Sequence, residues 1–189
     1  MPGNHPLTPK REESALVVID PQTNIFRAME SDVRQKVVAN IKLLISSSQQ
    51  LKMPVLLTEQ YPKGLGKSLE EIQSLMDKYE PIEKLTFSCC GDEGFLNKLK
   101  LFGRTQSVVL CGIETHVCVL QTTLDLLAEG YKVYVIADAV CSRRKLDWEI
   151  GLRMMDKAGA VITTSEILIF QLLGKAGTEE FKAISRMLA

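Results

Sequence analysis

The sequence predicts an α/β protein, a parallel sheet covered by helices on both faces. Short apolar runs predict the strands. Ala15–Ile19 (ALVVI), Pro54–Thr58 (PVLLT), Ser107–Cys111 (SVVLC) and Lys132–Ala137 (KVYVIA) are nearly continuous rather than alternating, as in strands buried on both sides. Between them, apolar residues recur at helical spacing, most clearly Val33, Val37, Ile41, Leu44 and Ile45. Strands and helices then alternate along the chain, the pattern of crossover-connected parallel strands.

Taken in order, Ala15–Ile19 is a buried strand ending in Asp20, and Pro21 turns the chain out of it. Ser31–Gln50 is a helix. Pro54–Thr58 is the second strand, and Glu59–Lys67 (EQYPKGLGK) is a loop broken by Pro62, Gly64 and Gly66. Ser68–Lys78 reads as a helix, and Ile82–Leu85 as a short strand carrying Lys84. Gly94–Leu101 is a helix with Phe95, Leu96 and Leu99 inward. Gly112 breaks the strand Ser107–Cys111, and Thr115 is placed to cap a helix bearing Val119, Leu120, Thr123, Leu124 and Leu127. Lys132–Ala137 is a strand ending in Asp138. Leu146–Ala158 is a helix and Val161–Thr163 a strand. Ser165–Leu172 is a helix with Ser165 as cap and Glu166 in its first turn. Glu179–Met187 is the last helix.

The chain has 189 residues, enough for one domain with one sizeable core. That domain is expected over residues 14–189, behind a disordered polar tail, 1–13. Lys+Arg and Asp+Glu both count 23, so no net field recruits nucleic acid or a membrane surface. The apolar runs fall far short of a bilayer span. The leader MPGNHPLTPKREES lacks the apolar core of a secretory signal and the Arg-rich, acid-poor character of a mitochondrial presequence. Five cysteines, an odd number with Cys89 and Cys90 adjacent, fit reduced thiols. A cytoplasmic location is expected, with a mitochondrial one left open. There is no CxxC or HxxxH pair, and neither a metal nor another cofactor is expected.

Cys118 falls in the first turn of a helix that leaves the carboxyl end of a strand. Ligands of open α/β sheets bind at that edge. The free N–H groups of a helix start hold anions and favour a thiolate. Asp20 and Lys84 end other strands, so the topology brings all three to one edge. A carboxylate takes a thiol proton, and a neighbouring ammonium offsets the burial of both anions. On spacing alone other readings stay open. Cys118 is equally a small buried apolar residue, Asp138 an equally good strand-end carboxylate, and Lys84 one of many solvated lysines.

Three segments in order resolve this by resemblance: Asp20-x-Gln22 with Phe26 further on, Lys84 before Phe87 and Ser88, and Gly112-Ile113-x-Thr115-x-x-Cys118-Val119. In this the chain resembles the isochorismatase-like cysteine hydrolase superfamily. Thr58–Gly66 and Leu110–Leu127 look most like the isochorismatase domain-containing proteins of type two. The resemblance implies a three-layer α/β/α fold with a six-stranded parallel sheet and a non-proline cis peptide at Ile113–Glu114. It implies an oxyanion hole from the N–H groups of Glu114 and Cys118, and Cys118 attack on an amide-like carbonyl to give a thioester. Asp20 is the implied base and Lys84 its partner.

Gln22, Phe26, Gln60, Tyr61, Leu65, Phe87 and Thr115 are the expected walls of a pocket for a small-molecule substrate. Nicotinamidases of the superfamily hold a metal through histidines in the loop after the second strand. Here Glu59–Lys67 has no His, and the only histidines are His5 and His116. His116, two residues before Cys118, is expected to face away from it. A non-catalytic oligomeric binding or interaction protein and a nucleic-acid-processing protein are the alternatives. The helix Ser165–Leu172 (SEILIFQLL with Leu173) is apolar nearly all round, which predicts a homo-oligomer, dimeric or larger, or else burial between the sheet and the last helix.

Overall fold

The computed structural model describes residue 5 and residues 7–188. The strands are β1 (Ser14–Ile19), β2 (Val55–Gln60), β3 (Ile82–Lys84), β4 (Ser107–Ile113), β5 (Lys132–Cys141) and β6 (Val161–Thr163). The helices are α1 (Thr23–Phe26), α2 (Ser31–Gln50), α3 (Pro62–Leu65), α4 (Glu70–Gln73), α5 (Glu93–Leu101), α6 (Leu120–Ala128), α7 (Lys145–Lys157), α8 (Ser165–Leu173) and α9 (Glu179–Leu188).

The strands form one six-stranded sheet in the order β3-β2-β1-β4-β5-β6, every pairing parallel. From β1 the chain builds outward to β3, then returns to the centre and builds the other way from β4. The order therefore reverses between β1 and β4, and the crevice beyond their carboxyl ends is the ligand position of such a sheet. Alternate residues of β1 feed two cores. Leu16 and Val18 pack with α2, α8 and α9, and Ala15, Val17 and Ile19 with α5, α6 and α7. Each Leu, Val or Ile among them, removed from water, contributes about 1.5–3 kcal/mol, so both layers hold the sheet.

Several boundaries differ from the sequence expectation for long-range reasons. β2 runs on through Glu59 and Gln60, because Glu83 and Lys84 of β3 pair with them. Of the expected helix Ser68–Lys78, only Glu70–Gln73 is helical. Glu59 takes the Ser68 N–H at 2.6 Å and its Oγ–H at 2.7 Å, which anchors the segment to β2 instead. Gly112 continues β4 rather than breaking it, at φ +115, with its α-carbon against β1. β5 is longer than expected. It pairs Val135 with Leu110 and Val140 with Gly112, so extra residues bulge between. Asp138 lies on that bulge, and its Oδ1 accepts from Ser165 N and Oγ, both at 2.9 Å. Thr164 rather than Ser165 caps α8, accepting from the Ile167 N–H.

Helix α8 buries Leu168, Ile169 and Leu172 against the sheet side, and Phe170 meets Phe181 of α9 with ring centroids 6.5 Å apart. Ile167 is 53% and Phe170 44% exposed. Of the expected disordered tail, residues 1–4 and 6 lie outside the described residues. Arg11–Glu13 form a 3-10 turn, with Arg11 Nη1 3.9 Å from Glu180 of α9. Among the described residues no helix is long and apolar enough to cross a membrane.

Candidate active site

Asp20 follows β1 in the left-handed region, φ 48, a conformation that Asp tolerates better than most residues. Its N–H donates to Thr58 O at 3.2 Å, and Thr58 Oγ1 donates to its Oδ1 at 2.7 Å. Lys84, the last residue of β3, reaches across the end of β2 and donates to Asp20 Oδ2 at 2.7 Å. The same Nζ donates to Gln60 Oε1 at 2.7 Å and to the Phe87 carbonyl at 3.1 Å. Burial works to lower the Lys84 pKa, but Asp20 together with Cys89 and Cys118 outweighs it, and the net direction is upward.

Cys118 stands where β4 gives way to a π-helical turn, Thr115–Val119, before α6 proper begins. The Glu114 carbonyl accepts from Val117 N at 3.1 Å and Val119 N at 3.2 Å, on either side of Cys118. The Ile113–Glu114 peptide is cis. Cys118 is 6% exposed, and its thiol lies near enough to Asp20 for that carboxylate to act on its pKa. Asp20, Lys84 and Cys118 are thus brought together. The thiolate favoured by the helix start is not the resting form. Burial, then the negative charge of Asp20, push the thiol pKa up, and the opposing Lys84 charge does not offset them. The thiol therefore keeps its proton, next to Asp20.

The expected pocket residues divide. Gln22 is buried and ties down the loop: Nε2 donates to Gln60 O at 3.0 Å and to the Gly66 carbonyl at 2.5 Å, and Oε1 accepts the Gln60 N–H at 2.7 Å. Gln60 is turned toward Lys84, with its Nε2 held by the Leu85 carbonyl at 2.8 Å. Both amides brace the site from behind. Phe26 lies in the core. Thr115 is buried, and its Oγ1 has no hydrogen-bond partner among the described residues, so it does not cap the helix. Tyr61, half exposed with φ 37, Leu65 and the exposed Phe87 remain at the surface side.

Two features escaped the sequence reading. Cys89 is a second buried thiol near Asp20, its Sγ 3.8 Å from Thr58 Oγ1 and its N–H on Thr122 Oγ1 at 2.9 Å. Burial and then Asp20 push its pKa up to about 12. The adjacent Cys89–Cys90 pair was its only signal. The other is a clamp on Glu114. Arg143 gives its Nε to Oε1 at 3.1 Å and its Nη2 to Oε2 at 3.0 Å, and its backbone N–H also reaches Oε1 at 3.2 Å. Next to it, Ser142 Oγ meets His116 Nδ1 at 2.9 Å, which holds His116 on the β5 side. Among the described residues no group of His, Cys, Asp and Glu is arranged to hold a metal ion.

Residues 14–167 match the isochorismatase domain. Over 181 residues the chain is 40% identical to isochorismatase family protein 1B of Dictyostelium discoideum, covering 92% of this chain and 84% of that protein. It is 39% identical over 153 residues to isochorismatase domain-containing protein 2 of Xenopus laevis, covering 81% and 73% of the two. Among solved structures, the MAR1 ribonuclease of Caenorhabditis elegans superimposes with a TM-score of 0.88 at 36% identity, over 95% of this chain and 91% of that one. A domain match that begins at β1 and runs into α8, on a sheet of this order, leads to one conclusion: the chain belongs to the isochorismatase family, in the group of isochorismatase domain-containing protein 2.

Proposed function

We propose that this isochorismatase-family hydrolase cleaves a small amide-like carbonyl compound through a thioester on Cys118. The observation that carries the reading is the Asp20 carboxylate, bonded to the Lys84 ammonium and set close enough to the Cys118 thiol to raise its pKa. Asp20 takes the thiol proton as the sulfur attacks the carbonyl carbon. The N–H groups of Glu114 and Cys118 receive the oxyanion. The carbon–nitrogen bond breaks, and Asp20 passes the proton to the leaving nitrogen. Water then attacks the thioester, giving its proton to Asp20. The carbon–sulfur bond breaks, and the proton returns to Cys118. Lys84 holds Asp20 in place and balances the charge that moves between Asp20 and sulfur. Tyr61, Leu65 and Phe87 are the side chains offered to the substrate.

A screen of small primary amides tests this, reading ammonia release together with an adduct mass on Cys118. Ammonia without an adduct, or an adduct on another cysteine, would overturn the thioester route. The reading includes self-association through the exposed Ile167 and Phe170 of α8 and a cytoplasmic setting for five unpaired cysteines. A non-catalytic oligomeric binding protein would release no ammonia and form no adduct.

The likeness to a ribonuclease favours one second reading, cleavage of RNA. The balance of 23 basic and 23 acidic residues counts against it. Incubation with a labelled RNA separates the two, because fragments that persist in a Cys118→Ala variant belong to a different chemistry from amide hydrolysis.

A further inference from the structure

A cavity of about 590 Å³ opens between α2 and the carboxyl end of β5, and neither Asp20, Lys84 nor Cys118 lines it. We propose that this cavity binds a small amphipathic carboxylate, at a site separate from the thiol. Its shape comes from the β5 bulge. Between Val135 and Val140 the strand carries more residues than β4 can pair, so Ala137 and Asp138 leave the ladder and form one wall. Asn40 of α2 donates to the Asp138 carbonyl at 2.7 Å, and Ser165 holds the Asp138 carboxylate from the far side. The opposite wall, α2, is thereby pinned to the bulge. A volume of this size falls in the range of small-molecule sites.

The lining sorts by chemistry. Val33, Val37, Val140 and the half-buried Trp148 make it apolar. Exposed Lys36, Arg143 and Lys145 stand at its edge, with Glu30 the one lining carboxylate that no partner among the described residues engages. Lys145 is only 3.7 Å from Glu149 in an exposed pair, a contact worth little in water. Arg143 gives Nε and Nη2 to Glu114, and a guanidinium has further N–H groups to offer a second carboxylate. Apolar walls below cations select an apolar body with an anionic head.

Trp148 is the only tryptophan of the chain, and it lines this cavity, so its emission reports on that wall. The probe is octanoate, transparent where Trp148 absorbs, with octanamide as its uncharged counterpart. Octanoate is expected to change Trp148 emission saturably, and octanamide to bind about tenfold more weakly or worse. The double variant Lys36→Gln with Lys145→Gln should weaken octanoate several-fold toward the level of the amide, with Arg143 left in place. Ala39→Phe, which puts a ring into the cavity from the exposed side of α2, should abolish the response. The double variant alters only exposed side chains, so it keeps the test open if Ala39→Phe folds poorly. No saturable change with millimolar octanoate overturns the proposal. So does octanamide that matches octanoate, a response that survives Ala39→Phe, or octanoate binding lost in Cys118→Ala, which would move the ligand to the thiol site.

Discussion

Lys84 Nζ and Asp20 Oδ2 stand 2.7 Å apart, and neither side chain reaches solvent. A pair so placed is held by mutual attraction against the cost of stripping water from both charges. Breaking it from one side leaves the other charge buried and unmatched. Lys84→Met should therefore lower stability by about 3–5 kcal/mol. Adding Asp20→Asn, which tolerates the left-handed backbone at that position, should recover much of the loss. Urea denaturation of the single and double variants checks this. A double variant less stable than Lys84→Met would place the effect in packing rather than charge.

The same carboxylate bears on the acidity of the Cys118 thiol. Burial first, and Asp20 next, hold the Cys118 thiol up, while Lys84 pulls it down. Asp20→Asn removes one raising influence and leaves Lys84 in place. The thiol should then ionise at lower pH, and iodoacetamide should alkylate Cys118 faster near pH 8 even as any hydrolysis is lost. Lys84→Met should slow it. Half-buried Cys90, raised by burial to about 11, is the internal standard, and mass spectrometry reads the ratio. Slower Cys118 labelling in Asp20→Asn would show that Asp20 does not hold the thiol protonated.

Stability should fall on the alkaline side. The buried thiols all shift one way: burial raises Cys111 and Cys118, and takes Cys89 and Cys141 from 9.0 to about 12. Lys84 is raised above 10.5 as well. In each case the folded chain keeps a proton that the unfolded chain releases, so stability is fully present below about pH 9 and declines above it. One pH unit past the unfolded value, each such thiol contributes a loss of about 1.4 kcal/mol. Urea midpoints measured from pH 7 to pH 10 should be flat and then drop, and Cys111→Ala should shallow the drop. A midpoint that rises with pH contradicts the sign.

Local pattern was enough for much of this molecule. The helix Ser31–Gln50 has the limits its periodicity predicts, and the strand ends alone place Asp20, Lys84 and Cys118 on one sheet edge. What escaped depends on partners distant in sequence. Asp20 and Asp138 look alike as strand-end carboxylates, and only Ser165, at the start of α8, turns Asp138 away. Gln60 reads as a loop residue until β3 pairs with it and Lys84 takes its amide oxygen. The π-helical turn at Thr115–Val119 has no periodic signal of its own, and neither does the bulge of β5.

Gly112 is the sharpest such case, and it carries the last prediction. As a glycine after an apolar run it reads locally as a strand end. In the fold it lies within β4, at φ +115, and a Cβ there would sit 2.0 Å from the Ile19 carbonyl oxygen and 2.6 Å from the Ile19 nitrogen. Those atoms belong to the β1 backbone and cannot swing aside as a side chain would. Ile19 leads directly to Asp20, and Gly112 to the segment bearing Cys118, so any separation of the strands pulls Asp20 away from the Cys118 thiol. Gly112→Ala should thus cost more than the 1–3 kcal/mol of ordinary overpacking, through a clash and a disfavoured backbone together. Gly103→Ala is the control: its φ is +67, but nothing lies within 4 Å of the added carbon. It should cost about 1 kcal/mol. Denaturation midpoints compare the two, and Cys118 alkylation relative to Cys90 reads the site. Equal midpoints would mean that β1 and β4 have room to part, and that their close approach does not hold Asp20 to Cys118.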